Sequence, residues 1–202
     1  MTTTADEMIK GRPKRKFRVV DGQHRVKPIE RVLEEYDATP LVGLRTLVHN
    51  AAIERVDENG EETIELPLLR ELLASAAVKR CIMPLRLRGS EVKAMRRILK
   101  LTLAELAKKL DERTATETVS RWESEAQPMG GYVEKLFRLI ICEELTKQAP
   151  GVDYNASKIA QIKLRDPWKT TPDYKVPYIE LWLIKIREQS GSVIEAWDAK
   201  AA

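Results

Sequence analysis

Histidine, cysteine and long apolar runs are what this chain has least of. Its 202 residues include two cysteines, Cys81 and Cys142, and two histidines, His24 and His49. A structural zinc site needs four thiolate or imidazole ligands at closing distance, and these are widely separated along the sequence, so no metal is expected. The cysteines read instead as buried, reduced thiols, which suits a cytoplasmic setting. Two distant histidines leave little material for acid–base chemistry. The G-x-S-x-G, P-loop, H-E-x-x-H and dinucleotide-binding glycine patterns are all missing. The expectation is a non-enzyme with no catalytic residue and no cofactor. No apolar run approaches the length needed to cross a bilayer and no secretory pattern opens the chain, so no membrane partner is expected.

What the chain does have is charge. A third of its residues are charged and 43% are apolar, a balance that supports a folded core, and the net charge is +4. A basic balance favours a polyanionic partner only weakly, and its distribution says more. Lys10, Arg12, Lys14, Arg15, Lys16 and Arg18 follow one another with no acidic residue between them, whereas residues 30–37 and 57–65 are acidic. Gly11, Arg12 and Pro13 within the basic run resemble the core of an AT-hook, an extended backbone that lays arginines along a narrow A·T minor groove. The same charges would equally serve as nonspecific phosphate contacts.

Residues 90–142 organise the rest. Val92, Met95, Ile98 and Leu99 recur at helical spacing, with Ser90 as the expected cap. Thr102 with Glu105 forms a capping box for a short helix whose Leu103, Leu106, Ala107 and Leu110 share one face, leaving Lys108 and Lys109 outside. A third helix is expected after Arg113, capped by Thr114 with Glu117 or by Thr116. Val119 and Trp122 would anchor it, while Thr116, Glu117, Ser120 and Arg121 face outward. Apolar anchors fix the angle of such a helix, and short polar or arginine side chains then suit the base edges of a major groove. Arg121 suits either a bidentate contact to guanine or a phosphate, and Glu117 either a cytosine amino group or the helix end.

The run from Leu101 to Glu123 resembles the helix-turn-helix of Xre/Cro-type regulators, in which a Thr-x-x-Glu-Leu-Ala helix precedes Thr-Val-Ser-Arg-Trp-Glu. More narrowly, the order of features over residues 40–145 resembles the MqsA/YgiT-type antitoxins, whose amino-terminal domain binds zinc. Two departures stand out. Eight residues separate Leu110 from Val119, more than the family pattern has, and Val56, Asp57, Glu58 and Asn59 stand where the family would have a cysteine pair. The resemblance implies double-stranded DNA as partner, with Thr116, Glu117, Ser120 and Arg121 toward bases. Thr102, Lys108, Lys109, Arg113 and Thr114 would lie toward the backbone. It also implies a homodimer on an inverted repeat, acting as a repressor, or alternatively an antitoxin that neutralises a toxin partner and represses its own operon.

The flanks complete an expected α+β architecture. Residues 1–27 read as a flexible basic arm and residues 28–87 as a small zinc-free domain. Within that domain residues 28–36 suggest a short helix starting at Pro28, residues 44–66 strands around an Asp57–Gly60 turn, and residues 67–80 a helix with Leu68, Leu69, Leu72, Leu73, Ala76 and Ala77 on one face. Residues 88–148 form the helix-turn-helix domain, λ-repressor-like by the resemblance. It is closed by a helix over 132–146 whose surplus apolar surface suggests dimerisation. Residues 149–202 form an extension with a short helix at 156–162, a strand at 178–186 and a returning piece at 193–197. Its aromatics are expected to pack against the amino-terminal domain, with base stacking or a protein contact as alternatives. A structural adaptor that binds no DNA is the remaining alternative.

Overall fold

A computed structural model describes residues 28–187 and 191–199. The expectations for the basic arm, Lys10 to Arg18, lie outside the described residues. The architecture is α+β, with two small sheets and seven helices among the described residues.

Residues 28–36 do not form the expected helix. β1 (Ile29–Val32) and β2 (Glu35–Asp37) lie there instead. Each finds its backbone partners far away in sequence: β1 pairs antiparallel with β4 (Ile53–Val56), and β2 with β3 (Thr46–His49). Between the two strands, Leu33 N–H donates to the Ala52 carbonyl at 2.8 Å, and Asn50 N–H to the Glu34 carbonyl at 3.0 Å, so the chain changes sheets on both sides together. β4 returns antiparallel to β5 (Glu62–Glu65) across the expected turn, where Gly60 takes φ +82° and the Asp57 carboxylate accepts the N–H groups of Asn59 and Glu61. These bonds, first that from Glu61, hold the Asp57 carboxyl below the usual carboxylate range.

β3 belongs to the second sheet, whose order is β2-β3-β6-β7. β6 (Ile179–Arg187) lies parallel to β3, and β7 (Val193–Asp198) antiparallel to β6. The His49 ring of β3 stacks on Trp182 of β6, centroids 4.5 Å apart. Trp197 is fully buried and its indole N–H donates to the Leu68 carbonyl at 3.2 Å. Trp168 instead meets Tyr174 edge-on, outside both sheets. A four-residue helix, α1 (Thr39–Val42), bridges β2 and β3.

The central element is α2 (Leu69–Ile82), which begins two residues later than expected because Leu68 sits at φ 46°, in the left-handed region. Leu72, Ala74, Ser75, Ala76, Ala77, Val78 and Cys81 are all buried, so α2 is enclosed around most of its circumference, not on one face alone. Its small side chains let both the second sheet and α6 (Gly131–Leu145) approach closely. Cys81 and Cys142 meet at that junction as free, buried thiols, and burial first, then the neighbouring thiol, push the Cys81 thiol well up. Phe137, Ile140, Ile141 and Leu145 of α6 are buried within the chain, against α2 and α7 (Ala156–Gln161). The surplus apolar surface expected on α6 is therefore largely covered within the chain.

Candidate nucleic-acid interface

Three short helices carry the candidate residues: α3 (Gly89–Ile98), α4 (Leu103–Leu110) and α5 (Thr116–Glu123). α4 starts as its sequence requires. The Thr102 hydroxyl accepts the Glu105 N–H at 3.2 Å, and the Glu105 carboxylate accepts both the Thr102 N–H and its hydroxyl at 2.7 Å. The Thr102 N–H, and then the hydroxyl, hold the Glu105 carboxyl below its usual range. Leu106, Ala107 and Leu110 are buried while Lys108 and Lys109 are exposed. The Lys109 ammonium is engaged by Glu144 of α6 at 2.7 Å, so Lys108 is the freer cation of the two. At Thr102 the Glu105 carboxylate already faces the helix N-terminus, where a phosphate would meet like charge.

Neither expected cap opens α5. Ala115 occupies the N-cap position without a side-chain bond, and Thr116 is the first helical residue. The turn belongs to Asp111 instead: its carboxylate accepts the Arg113 N–H at 3.2 Å and its carbonyl the Thr114 N–H at 2.9 Å. The lengthened Leu110–Val119 spacing is thus absorbed in residues 111–115. Beyond that turn the division of faces is clean. Val119 and Trp122 are buried, Glu117, Ser120 and Arg121 are exposed, and Thr116 is half-buried. Arg113 is exposed and Thr114 half-buried beside them.

Ion pairs fix the far end of α5. Arg96 of α3 clasps Glu123 through two parallel bonds of 2.6 and 2.9 Å, and spends a third N–H on the Leu101 carbonyl at 2.8 Å. That bond to Glu123 raises the Arg96 pKa above its ordinary value against the opposing cost of burial. Beyond the helix, Glu125 (φ +60°) accepts the Gly89 N–H at 2.9 Å and pairs with Arg88. A Cβ at Gly89 would stand 2.5 Å from the carbonyl oxygens of both Trp122 and Glu123, so only glycine allows α3 to begin this close to the end of α5. The expected cap, Ser90, lies inside α3. The Glu91 carboxylate does its work by accepting the Arg88 N–H at 2.8 Å.

Two arginines without solvent access hold this unit on the rest of the fold. Arg80 of α2 binds Glu91 at 2.6 and 2.8 Å and the carbonyls of Leu85 and Arg86. Arg138 of α6 binds Glu134 at 2.8 Å, the carbonyls of Cys81 and Met83, and that of Leu85. Both guanidiniums thereby use the otherwise unpaired carbonyls of the α2–α3 connection, which is what makes their burial tolerable.

Sequence reading missed these pairs. Arg80 ends the helix expected over 67–80, where a positive charge suits the carboxy-terminal dipole and hides any other role, although Arg138 carries a signal, lying four residues after Glu134 and three before Ile141 on the apolar side of its helix. Lys93, Arg97 and Lys100, exposed on and just beyond α3, were also not singled out. Among the described residues no group of histidine, cysteine or carboxylate side chains is arranged to hold a metal, and no helix is long and apolar enough to cross a membrane. No family model, curated protein or solved structure matches the chain.

Proposed function

We propose that the chain is a sequence-specific double-stranded DNA-binding regulator in which α4, the turn at 111–115 and α5 act as a helix-turn-helix, with α5 entering the major groove. The observation that carries this reading is the state of Arg121. It is exposed on a helix whose opposite face is anchored by Val119 and Trp122, and its guanidinium has no ion-pair or hydrogen-bond partner among the described residues. Two of the neighbouring arginines are committed: Arg96 to Glu123 and Arg88 to Glu125. An arginine held out on a rigid, short-side-chain surface beside Ser120 matches the geometry that reads guanine edges. Glu117 and Ser120 would read neighbouring bases, and Lys108 and Arg113 would meet the phosphates flanking them.

Repression by operator occupancy, through a homodimer on an inverted repeat, is the mode that follows for such a reader. The apolar side of α6 supplies little surface for that dimer, since most of it is covered within the chain.

The test is selection of bound duplexes from a random library, followed by footprinting. The expected result is an enriched motif whose recognition depends on Arg121. A chain that enriches no sequence at any salt concentration overturns the reading.

A further inference from the structure

Among the described residues, the outer strands of the β1–β4–β5 sheet are left without cover. Every residue of β1 and of β5 is exposed, including Ile29 and Val32 at 50% and 58%, and neither outer strand edge pairs with another strand among the described residues. A small sheet normally buries one face, so an uncovered one implies an occupant.

Charge and topology together point to which one. Residues 28–66 contain ten carboxylates and three arginines, a net −7 in a chain whose total is +4. The acid is concentrated at one end, around the β4–β5 turn, where Asp57 and Glu58 lie on one side of Asn59 and Gly60 and Glu61 and Glu62 on the other. The strand register places the start of β1 at that same end, because Ile29 pairs with Val56 and Val56 with Glu62. The chain preceding β1 therefore arrives beside the acidic turn. That chain carries six lysines and arginines between Lys10 and Arg18, with no acid among them. The residues from 19 to 28 reach at most about 35 Å, more than twice the length of these four-residue strands, and so short a tether holds the two at millimolar effective concentration.

We propose that residues 10–18 dock on the β1–β4–β5 sheet at its acidic end, and that this contact competes with DNA for the basic segment. The docking itself is independent of the DNA reading, whereas its consequence rests on it. The sheet acts as an internal polyanion. It withholds the basic segment from weak, nonspecific duplexes and releases it when a better-placed phosphate array is bound through α5.

Zero-length carbodiimide cross-linking of the full chain, mapped by mass spectrometry, tests the docking. Amines of Lys10, Lys14 and Lys16 should join carboxylates of Glu61 and Glu62 within one chain, and the products should fade at high salt. Cross-links spread equally to Glu143 and Glu144, or formed only between chains in an isotopically mixed sample, overturn it. A double-substitution cycle tests the consequence. Glu61→Gln with Glu62→Gln, both exposed, should strengthen binding to a nonspecific duplex at low salt by about threefold to tenfold. The same pair should have no effect in a chain already carrying Lys14→Gln, Arg15→Gln and Lys16→Gln. An equal gain in both backgrounds means simple removal of repulsion and refutes the competition. Cross-links without any DNA binding would leave the docking standing and the DNA reading fallen.

Discussion

Arg96 and Glu123 face each other across the α3–α5 contact with two hydrogen bonds of 2.6 and 2.9 Å, and their side chains are only 13% and 8% exposed. Removing either partner strands the other in a poorly hydrated position. Arg96→Met should cost about 2–4 kcal/mol in urea unfolding. Replacing both, with Glu123→Leu, should recover much of that loss because no unpaired charge is left behind. A double variant no more stable than Arg96→Met would show that the pair's neighbours, not its charges, set the cost.

Gly89 limits how closely α3 can begin to the end of α5. Gly89→Ala puts a Cβ against two backbone oxygens at 2.5 Å, and backbone cannot swing aside as a side chain can. The expected loss is about 1–3 kcal/mol, read as a lower Tm, together with weaker duplex binding because the end of α5 is displaced. A variant with unchanged Tm would contradict the close approach.

Arg121 should behave in the opposite manner. With no partner to lose, Arg121→Ala should leave stability within about 0.5 kcal/mol of the parent. It should weaken binding to the selected site by about 1–3 kcal/mol if the guanidinium reads a base. Equal weakening on every duplex would reassign it to a phosphate. A large fall in Tm would instead give it a structural role.

The capping box at Thr102 carries a pH dependence. Glu105 is held below its usual pKa, first by the Thr102 N–H, so the ionised form is the one the fold prefers. Its stabilisation is complete above the ordinary glutamate value of about 4.3 and is lost as pH falls through the lower value it has in the fold. Unfolding followed from pH 7 to pH 3 should therefore bring the parent and Glu105→Gln toward each other in acid. A constant gap between them across that range would remove the carboxylate from the cap.

Much of this was legible from local sequence, for a common physical reason. α4 begins at Thr102 because its hydroxyl and Glu105 satisfy orphan N–H groups three residues apart, an interaction contained within one turn. Val119 and Trp122 are buried, and Glu117, Ser120 and Arg121 exposed, because a helix repeats every 3.6 residues wherever it lies. The β4–β5 turn forms because Asp57 closes it and Gly60 tolerates positive φ.

Other features depended on neighbours distant in sequence. Residues 29–37 have an acceptable helical pattern, but β4 and β3 offer them ladder partners, and tertiary pairing overrode local preference. α5 starts at Thr116, with Ala115 and not a threonine at its cap position, after a turn that Asp111 closes over Arg113 and Thr114. The sequence by itself determined which short segments could be helices and which side of each would be apolar, since capping and periodicity are local. Only the tertiary structure decided which charges were spent inside. Arg80 and Arg96 are bound by carboxylates from other segments and Arg138 by carbonyls at the end of α2 and beyond it, whereas Arg121 is left outward because no such partner reaches it.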